Sequence, residues 1–340
     1  MIPGGPTIDA TLLVADVGGT NTRLATFRRA DGRPEKVRER TWRSADLDGL
    51  VGVLVEYVAS EDSRPDGACL ALAGPLENGT VRFPNLGWEV HRDDLAEAAG
   101  ITSLSLLNDF DAIGHGVLLL RDDERLTLQS GDPVEGEPMA VVGAGTGLGV
   151  AYLDPSADPP RVYSTEGGHA DFAPRDDVEW GLARYLRGKH GRASWERVLS
   201  GSGLADVYGY LADSGYAKES ASVRAEMDDG DPAQVVSRHG LAHDDDLCER
   251  ALQIFVSVYG SLAGNVALTI GARGGVFIAG GIAPRILDAL RDGPFLRSFL
   301  ERGRLREYVA DMPLSVVLSG DVGLLGAASI AARSIGPTAV

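Results

Sequence analysis

The segment DVGGTN, Asp16 to Asn21, lies between two apolar runs, TLLVA and LATF. Gly18 and Gly19 allow a backbone to come close to a phosphate and point N–H groups at it, and Thr20 and Asn21 add a hydroxyl and an amide. Asp16 ends a buried strand, where its charge needs a partner. Beside phosphate-binding amides the natural partner is Mg²⁺, bound directly or through water; the alternative is an Asp that caps its own turn. A second glycine segment, GAGTGLG from Gly143 to Gly149, repeats this grammar around Gly145 and Thr146. Its spacing matches neither G-x-G-x-x-G nor G-x-x-x-x-G-K-[ST]. Each segment alone is compatible with a plain β-turn. Two of them, with the Gly280–Gly281 pair that follows the apolar run GVFIA, point to a bound nucleotide.

Three further groups suit a hydroxylated substrate. In LLNDFDA, Asn108 and Asp109 follow an apolar strand, and α/β proteins place ligands at the C-terminal ends of strands. Asp109 has the chemistry to take a proton from a substrate hydroxyl while Asn108 fixes that hydroxyl. The competing reading is a helix N-cap, for which Asp111 is better placed. In TEGGHADF, Glu166 and His169 flank a glycine pair that lets both side chains turn to one point. Carboxylate, imidazole and amide groups each grip a sugar hydroxyl. Glu196 in SWERVLSG either joins them or is a first-turn Glu behind a Ser194 cap. His239 and His243 are four apart, but Gly240 stands where a metal-binding H-E-x-x-H helix has its acid.

The elements that must position these residues alternate. Strand–turn–strand patterns surround both glycine segments, which hints at a duplicated architecture. A helical pattern spans roughly Asp46 to Ser60, strands are expected in GACLALAGPL and SLSLLNDF, and the alternation argues α/β. The polar stretch RDDERLTLQSGDPVEGEP reads as a connection between lobes. From Asp176 onward the chain reads as mostly helical. Ala251 to Ile270 carries no charge and is long enough to span a bilayer. Gln253, Ser257, Ser261, Asn265 and Thr269 fall four apart within it, so it reads instead as a central helix buried on most sides.

At 340 residues the chain exceeds one hydrophobic core, so two lobes are expected. A net charge of −17 repels nucleic acid and anionic membranes, so neither is an expected partner. Two cysteines, Cys69 and Cys248, fit a reducing, cytoplasmic compartment and supply no disulfide framework. The first ten residues lack the basic and apolar regions of a secretory signal.

Taken in order, ADVGGTNTRLA, LLNDFDA, PVEGEPMAVVGAGTGLGVA, EGGHADFAP, ERVLSG and GGVFIAGGIAPR resemble the bacterial ATP-dependent glucokinase family of the hexokinase and actin-like ATPase superfamily. The likeness runs from about Leu12 to the C-terminal GLLGAA. It implies a two-lobed actin-like ATPase (ribonuclease H-like) α/β fold with a cleft between the lobes. The small lobe would hold residues 1–119 and 316–340 and the large lobe residues 120–315, the last helix returning to the small lobe. It implies transfer of the γ-phosphoryl group of ATP to the 6-hydroxyl of glucose, the first step of glycolysis, with Mg²⁺, in a homodimer. Carried over, Asp16, Gly18, Gly19, Thr20 and Asn21 form the first phosphate hairpin, with Asp16 toward the metal. Gly145 and Thr146 belong to the second, and Gly280 and Gly281 to the adenosine loop. Asn108, Asp109, Glu166, His169 and Glu196, with Asn85 from FPNLGW, are the glucose ligands, and Asp109 is the catalytic base. The cysteine-rich zinc motif of the related repressor and kinase family is missing after His169. The alternatives are a catalytically silent sugar sensor and a sugar-free ATPase on the same scaffold; the pairing of Glu166 with His169 speaks against the latter.

Overall fold

The computed structural model describes residues 10–74, 76–83 and 86–335. They fall into two units, one running to Arg121 and resuming at Ser319, the other Asp122–Leu318.

In the first unit β1 (Thr11–Val17) is apolar on both faces, as a central strand must be. It pairs antiparallel with β2 (Asn21–Arg28), which pairs antiparallel with β3 (Glu35–Arg43). After α1 (Leu50–Ala59), β4 (Gly67–Leu72) runs parallel to β1 on its other side. Strands β5 (Leu76–Glu77), β6 (Thr80–Phe83) and β7 (Trp88–His91) form a separate small sheet. Then come α2 (Arg92–Ala99), β8 (Leu104–Asn108) parallel to β4, and α3 (Asp109–Val117). The main sheet has the order β3-β2-β1-β4-β8. Leu13, Ala15 and Val17 pack with Leu54 and Tyr57 of α1 and Leu95 of α2. Leu12 and Val14 pack with Ala112 of α3 and with Leu324 and Ala328 of the C-terminal helix, Val322–Ser334. Period-2 alternation along β1 thus supplies both cores.

The second unit repeats the plan. Its strands are β9 (Arg125–Gln129), β10 (Met139–Ala144), β11 (Leu148–Asp154) and β12 (Arg161–Thr165). Helices α4 (Asp177–His190), α5 (Gly201–Asp213), α6 (Ala221–Asp229), α7 (Pro232–Ala242) and α8 (Asp246–Ile270) follow. Next come β13 (Gly275–Ala279), α9 (Leu287–Arg291), α10 (Pro294–Leu300), α11 (Arg306–Ala310) and β14 (Leu314–Val317). The sheet order β12-β11-β10-β13-β14 has the same antiparallel and parallel pairings as the first sheet, with β9 added at the edge. The duplication hinted at by the two glycine turns is therefore a duplication of sheet topology.

The stretch RDDERLTLQSGDPVEGEP, read as a connection between lobes, opens at the boundary between the units but is not loop throughout, because Arg125–Gln129 pairs antiparallel with β14. Leu126 and Leu128 alternate there and pack on the core, a signal diluted by the charges around it. The apolar helix α8 is the centre of the second core, with Phe255 and Tyr259 fully enclosed. The middle of its small polar stripe is covered: Ser257 bonds Ser298 of α10 at 2.9 Å, and a Cβ on Gly260 would overlap the Phe295 carbonyl. Backbone therefore meets backbone where α8 crosses α10.

The same device fixes α3. A Cβ on Gly326 of the C-terminal helix would run into the Ala112 carbonyl, and one on Gly116 into the Val322 carbonyl. This close crossing fixes where α3 lies against the C-terminal helix, and Asp109 is the first residue of α3. We expect Gly326→Ala to destabilise the first unit by about 1–3 kcal/mol through overpacking. Urea unfolding followed by circular dichroism checks this; an unchanged midpoint would show that the crossing can relax.

Candidate active site

The C-terminal ends of β1 and β8 carry the first group of residues. The β1–β2 turn is held by three carbonyl bonds. Gly18 N–H donates to the Asn21 carbonyl at 2.9 Å, Ser44 N–H donates to the Thr20 carbonyl at 2.9 Å, and Ser44 Oγ donates to the Gly18 carbonyl at 2.7 Å. Ser44 Oγ also lies 3.0 Å from Thr22 Oγ1, and both residues are fully enclosed. These bonds fasten the turn's carbonyls to the protein, while Gly19, Thr20 and Asn21 are exposed at its tip. Gly18 does not adopt a positive φ, and a Cβ there would meet only the Asn21 carbonyl, at 3.6 Å. The fold itself does not demand glycine at this position, whereas a ligand lying against the backbone would. Sequence reasoning missed Ser44: it lies 24 residues from Thr20, and only the sheet register brings it under the turn.

Asp16 lies opposite Arg23 in the β1–β2 ladder. Among the described residues its one ion-pair partner is Arg23, at 3.9 Å. The turn-capping alternative fails because the Gly18 amide goes to Asn21. The Arg23 guanidinium is spent elsewhere, donating to Glu39 at 2.8 Å, Asp321 at 2.5 Å and the Gly320 carbonyl at 2.6 Å. Burial pushes the Asp16 carboxyl above its ordinary range, and Arg23 only partly opposes it. A carboxylate short of a close cation, at the end of a strand beside the exposed tip of the β1–β2 turn, fits a Mg²⁺ ion that arrives with phosphates. Among the described residues no three His, Cys, Asp or Glu side chains are grouped to hold a metal by themselves. That agrees with the way Mg²⁺ is usually held, by one or two carboxylates plus water and phosphate.

Asn108 and Asp109 lie where β8 passes into α3. The cap is Asn108 and not Asp111: the Asn108 Oδ1 accepts from Phe110 N–H at 2.9 Å. With its oxygen occupied, Asn108 has its amide NH₂ to offer a ligand. Asp109 is pushed up to about 6, first by burial and then by the negative charge of Asp16, against a lowering bond from Phe110 N–H. Asn85 lies outside the described residues.

The second unit gathers three of the proposed sugar ligands. His169 Nε2 is 3.7 Å from Glu166 Oε2, and its Nδ1 is 3.7 Å from Glu196 Oε1. Glu166 and His169 are exposed and Glu196 is partly covered. Glu196 is not in a helix's first turn. Helix α5 begins at Gly201, capped by Ser200, and Glu196 sits in the turn before it. Its N–H donates to the Gly168 carbonyl at 2.9 Å, so backbone pairing brings it beside the His169 loop. The β10–β11 turn lies against the same segment: Gly201 N–H donates to the Gly145 carbonyl at 2.9 Å. Gly145 and Gly281 have open space where a Cβ would stand and no positive φ, while Gly280 needs its φ of +83° and abuts Ala144. Thr146 is exposed at the turn's tip. The enclosed Tyr259 hydroxyl accepts from Ala144 N–H at 3.1 Å and lies 3.1 Å from the Val142 carbonyl, pinning the end of β10. An apolar helix periodicity hides such a role for a tyrosine.

The two sheets of like topology, with glycine turns after β1 and β10, define the actin-like ATPase fold. Crystal structures agree: glucokinase from an Antarctic psychrotroph superposes with a TM-score of 0.82 at 33% identity, over 94% of this chain and 98% of its own. Glucokinase from Balamuthia mandrillaris, crystallised with glucose, gives 0.78 at 21% identity, over 95% and 93%. The model of the glucokinase family matches residues 13–334. Glucokinase of Nostoc sp. (strain PCC 7120) is 39% identical over 338 residues, covering 95% of this chain and 99% of its own. The chain belongs to the glucokinase family.

The environment of Asp109 has a measurable cost. Its folded pKa, about 6, lies above the ordinary value of 3.8, so the folded state binds the extra proton between these values and stability from this group rises as pH falls through 6. The ionised form is thus strained at pH 8. We expect Asp109→Asn to raise stability by about 1–3 kcal/mol at pH 8, and the gain to shrink by about half at pH 5. Urea unfolding at the two pH values checks this. A destabilised variant at pH 8 would mean that Asp109 is held by compensating bonds rather than strained.

Proposed function

We infer that this protein transfers the γ-phosphoryl group of ATP to the 6-hydroxyl of D-glucose, giving glucose 6-phosphate and ADP. The observation that carries the reading is the gathering of Glu166, His169 and Glu196 against a glycine turn with open space over Gly145. A sugar-free ATPase has no use for that trio.

In this reading the turn from Gly18 to Asn21, with Gly145 and Thr146, cradles the phosphates through backbone N–H groups and hydroxyls, and Gly280 and Gly281 border the adenosine. Ser44 keeps the first turn's carbonyls turned away from the anion. Asp16 faces the Mg²⁺ ion, which when bound offsets the charge on the phosphate oxygens. Asn108 and Asp109, with Glu166, His169, Glu196 and Asn85, hold the sugar. Asp109 accepts the 6-hydroxyl proton. Because phosphoryl transfer passes through a loose transition state, positioning and charge stabilisation do most of the work and the base acts late. A carboxylate raised to about 6 is a better late base than an ordinary one and remains ionised at neutral pH. A cytoplasmic homodimer completes the reading, and two unpaired, buried cysteines suit that compartment.

The test is ADP formation from Mg-ATP with glucose, mannose, fructose or no sugar. Glucose-dependent turnover is expected; ADP release indifferent to sugar would overturn the reading, and glucose binding without turnover would favour a sensor. Asp109→Asn should keep the fold and lower kcat by at least about 10²-fold, the usual scale for a general base. The wild-type kcat/KM should fall tenfold per pH unit below about 6, as the base is protonated. Ser44→Ala should raise KM for ATP several-fold and leave KM for glucose unchanged. Equal rises in both would reduce Ser44 to a packing residue.

A further inference from the structure

One carboxylate in the second unit touches both kinds of ligand-facing segment. Glu196 Oε2 accepts from the Leu148 N–H, the last amide of the β10–β11 turn, at 3.0 Å. The other oxygen, Oε1, is 3.7 Å from His169 Nδ1. The backbone joins the same three segments. Glu196 N–H donates to Gly168 in the His169 loop, and Gly201 N–H donates to Gly145 in the turn. A Cβ on Gly168 would overlap the Leu148 carbonyl.

Gly147 adds an independent observation. It has no positive φ, so its backbone conformation is open to any residue. Yet a Cβ there would stand 2.7 Å from Glu196 Oε2, nearer than any other atom. What a side chain at 147 would press on is therefore the Glu196 carboxylate and not the turn.

We propose that Glu196 couples the two substrates: by spanning from the Leu148 amide to the His169 side, it makes nucleotide affinity depend on glucose and glucose affinity on nucleotide. The inference rests on the glucose reading given above. Glu196 has three rotatable side-chain bonds, and its carboxylate must be fixed in one orientation to serve both neighbours. A sugar hydroxyl that holds Oε1 in place keeps Oε2 on the Leu148 amide, so each substrate favours the geometry that the other needs. Linkage makes the effect equal in both directions. A sugar hydroxyl at Oε1 thereby sets the turn that meets the phosphates, which favours nucleotide binding when an acceptor other than water is present.

The experiment is calorimetric titration of glucose, with and without saturating AMPPNP, into wild type, Gly147→Ala and Gly145→Ala. In wild type AMPPNP should tighten glucose binding at least about fivefold, the lower end of typical coupling. Gly147→Ala displaces the carboxylate; it should bind glucose about tenfold more weakly even without nucleotide, with the coupling falling toward one. Gly145→Ala meets nothing within 4 Å; it should weaken AMPPNP and leave glucose binding in its absence unchanged. Wild-type glucose affinity and coupling in Gly147→Ala would overturn the proposal, as would equal loss of glucose affinity in both variants. If circular dichroism shows that Gly147→Ala does not fold, Glu196→Gln replaces it; retained coupling at saturating glucose would then overturn the proposal. A wild type that binds no glucose would instead overturn the glucose reading itself.

Discussion

Two carboxylates at the same end of the parallel strands of one mixed sheet set the terms for the first unit. Asp16 is the last but one residue of β1 and Asp109 directly follows β8, and these strands flank β4. At the usual strand spacing that separation is about 10 Å. Each is short of close cations and pushed toward its protonated form by burial, and Asp16 adds to the shift at Asp109. Left alone, such a pair would tend to swing into solvent. What holds it is backbone: ladder pairing on both sides of β1, and the glycine crossing of α3 with the C-terminal helix, which leaves Asp109 no freedom to move with its helix. The fold thus maintains an unfavourable charge arrangement that a cation and a proton-donating substrate would relieve.

Arg23 shows that the shortage of cations beside Asp16 follows from how the charges are shared. A guanidinium opposite Asp16 in the ladder would ordinarily neutralise it. Instead Glu39 and Asp321 take its short bonds, and Lys36 joins the same pair at 2.7 and 2.5 Å. Those contacts hold the Glu39 carboxyl at about 2. The network ties strands β2 and β3 to the start of the C-terminal helix and leaves Asp16 with a longer, weaker attraction. The residues of this network come from three separated stretches of sequence, so none of it can be read from local spacing.

Much of the rest was legible, and for physical reasons. The β1–β2 and β10–β11 turns announce themselves because glycine between apolar alternating runs has few structural meanings. The α8 helix could be told from a membrane span by small polar residues recurring every fourth position, and the structure buries the middle of that stripe against α10. Two local readings differ from the structure: strand β9 is hidden by flanking charge, and Asn108 rather than Asp111 caps α3. Of the two alternatives for Glu196 the structure removes the first-turn one, since Glu196 precedes its helix. In each case a tertiary or backbone bond outweighed a local preference. Ser44 and Tyr259 were invisible because hydroxyl groups that fasten distant backbone have no periodicity of their own.

Among the glycines at the strand ends and helix crossings discussed above, the space around each separates those the fold requires from those it does not, and this carries the argument about the site further than their number does. Gly116, Gly168, Gly260, Gly280 and Gly326 have backbone pressed against the place where a Cβ would be, so the fold alone accounts for them. Gly145 and Gly281 have nothing there, and Gly18 only a carbonyl of its own turn at contact distance. None of these three takes a positive φ. A glycine in an ordinary conformation facing open space gives up stability, because it costs more chain entropy to fix than alanine and packs nothing in return. Three such positions at the C-terminal ends of central strands suit the role proposed above, in which a ligand comes within contact distance of the main chain. Gly147 belongs to neither kind, since its neighbour is a single flexible carboxylate, and for that reason it can report on Glu196 alone.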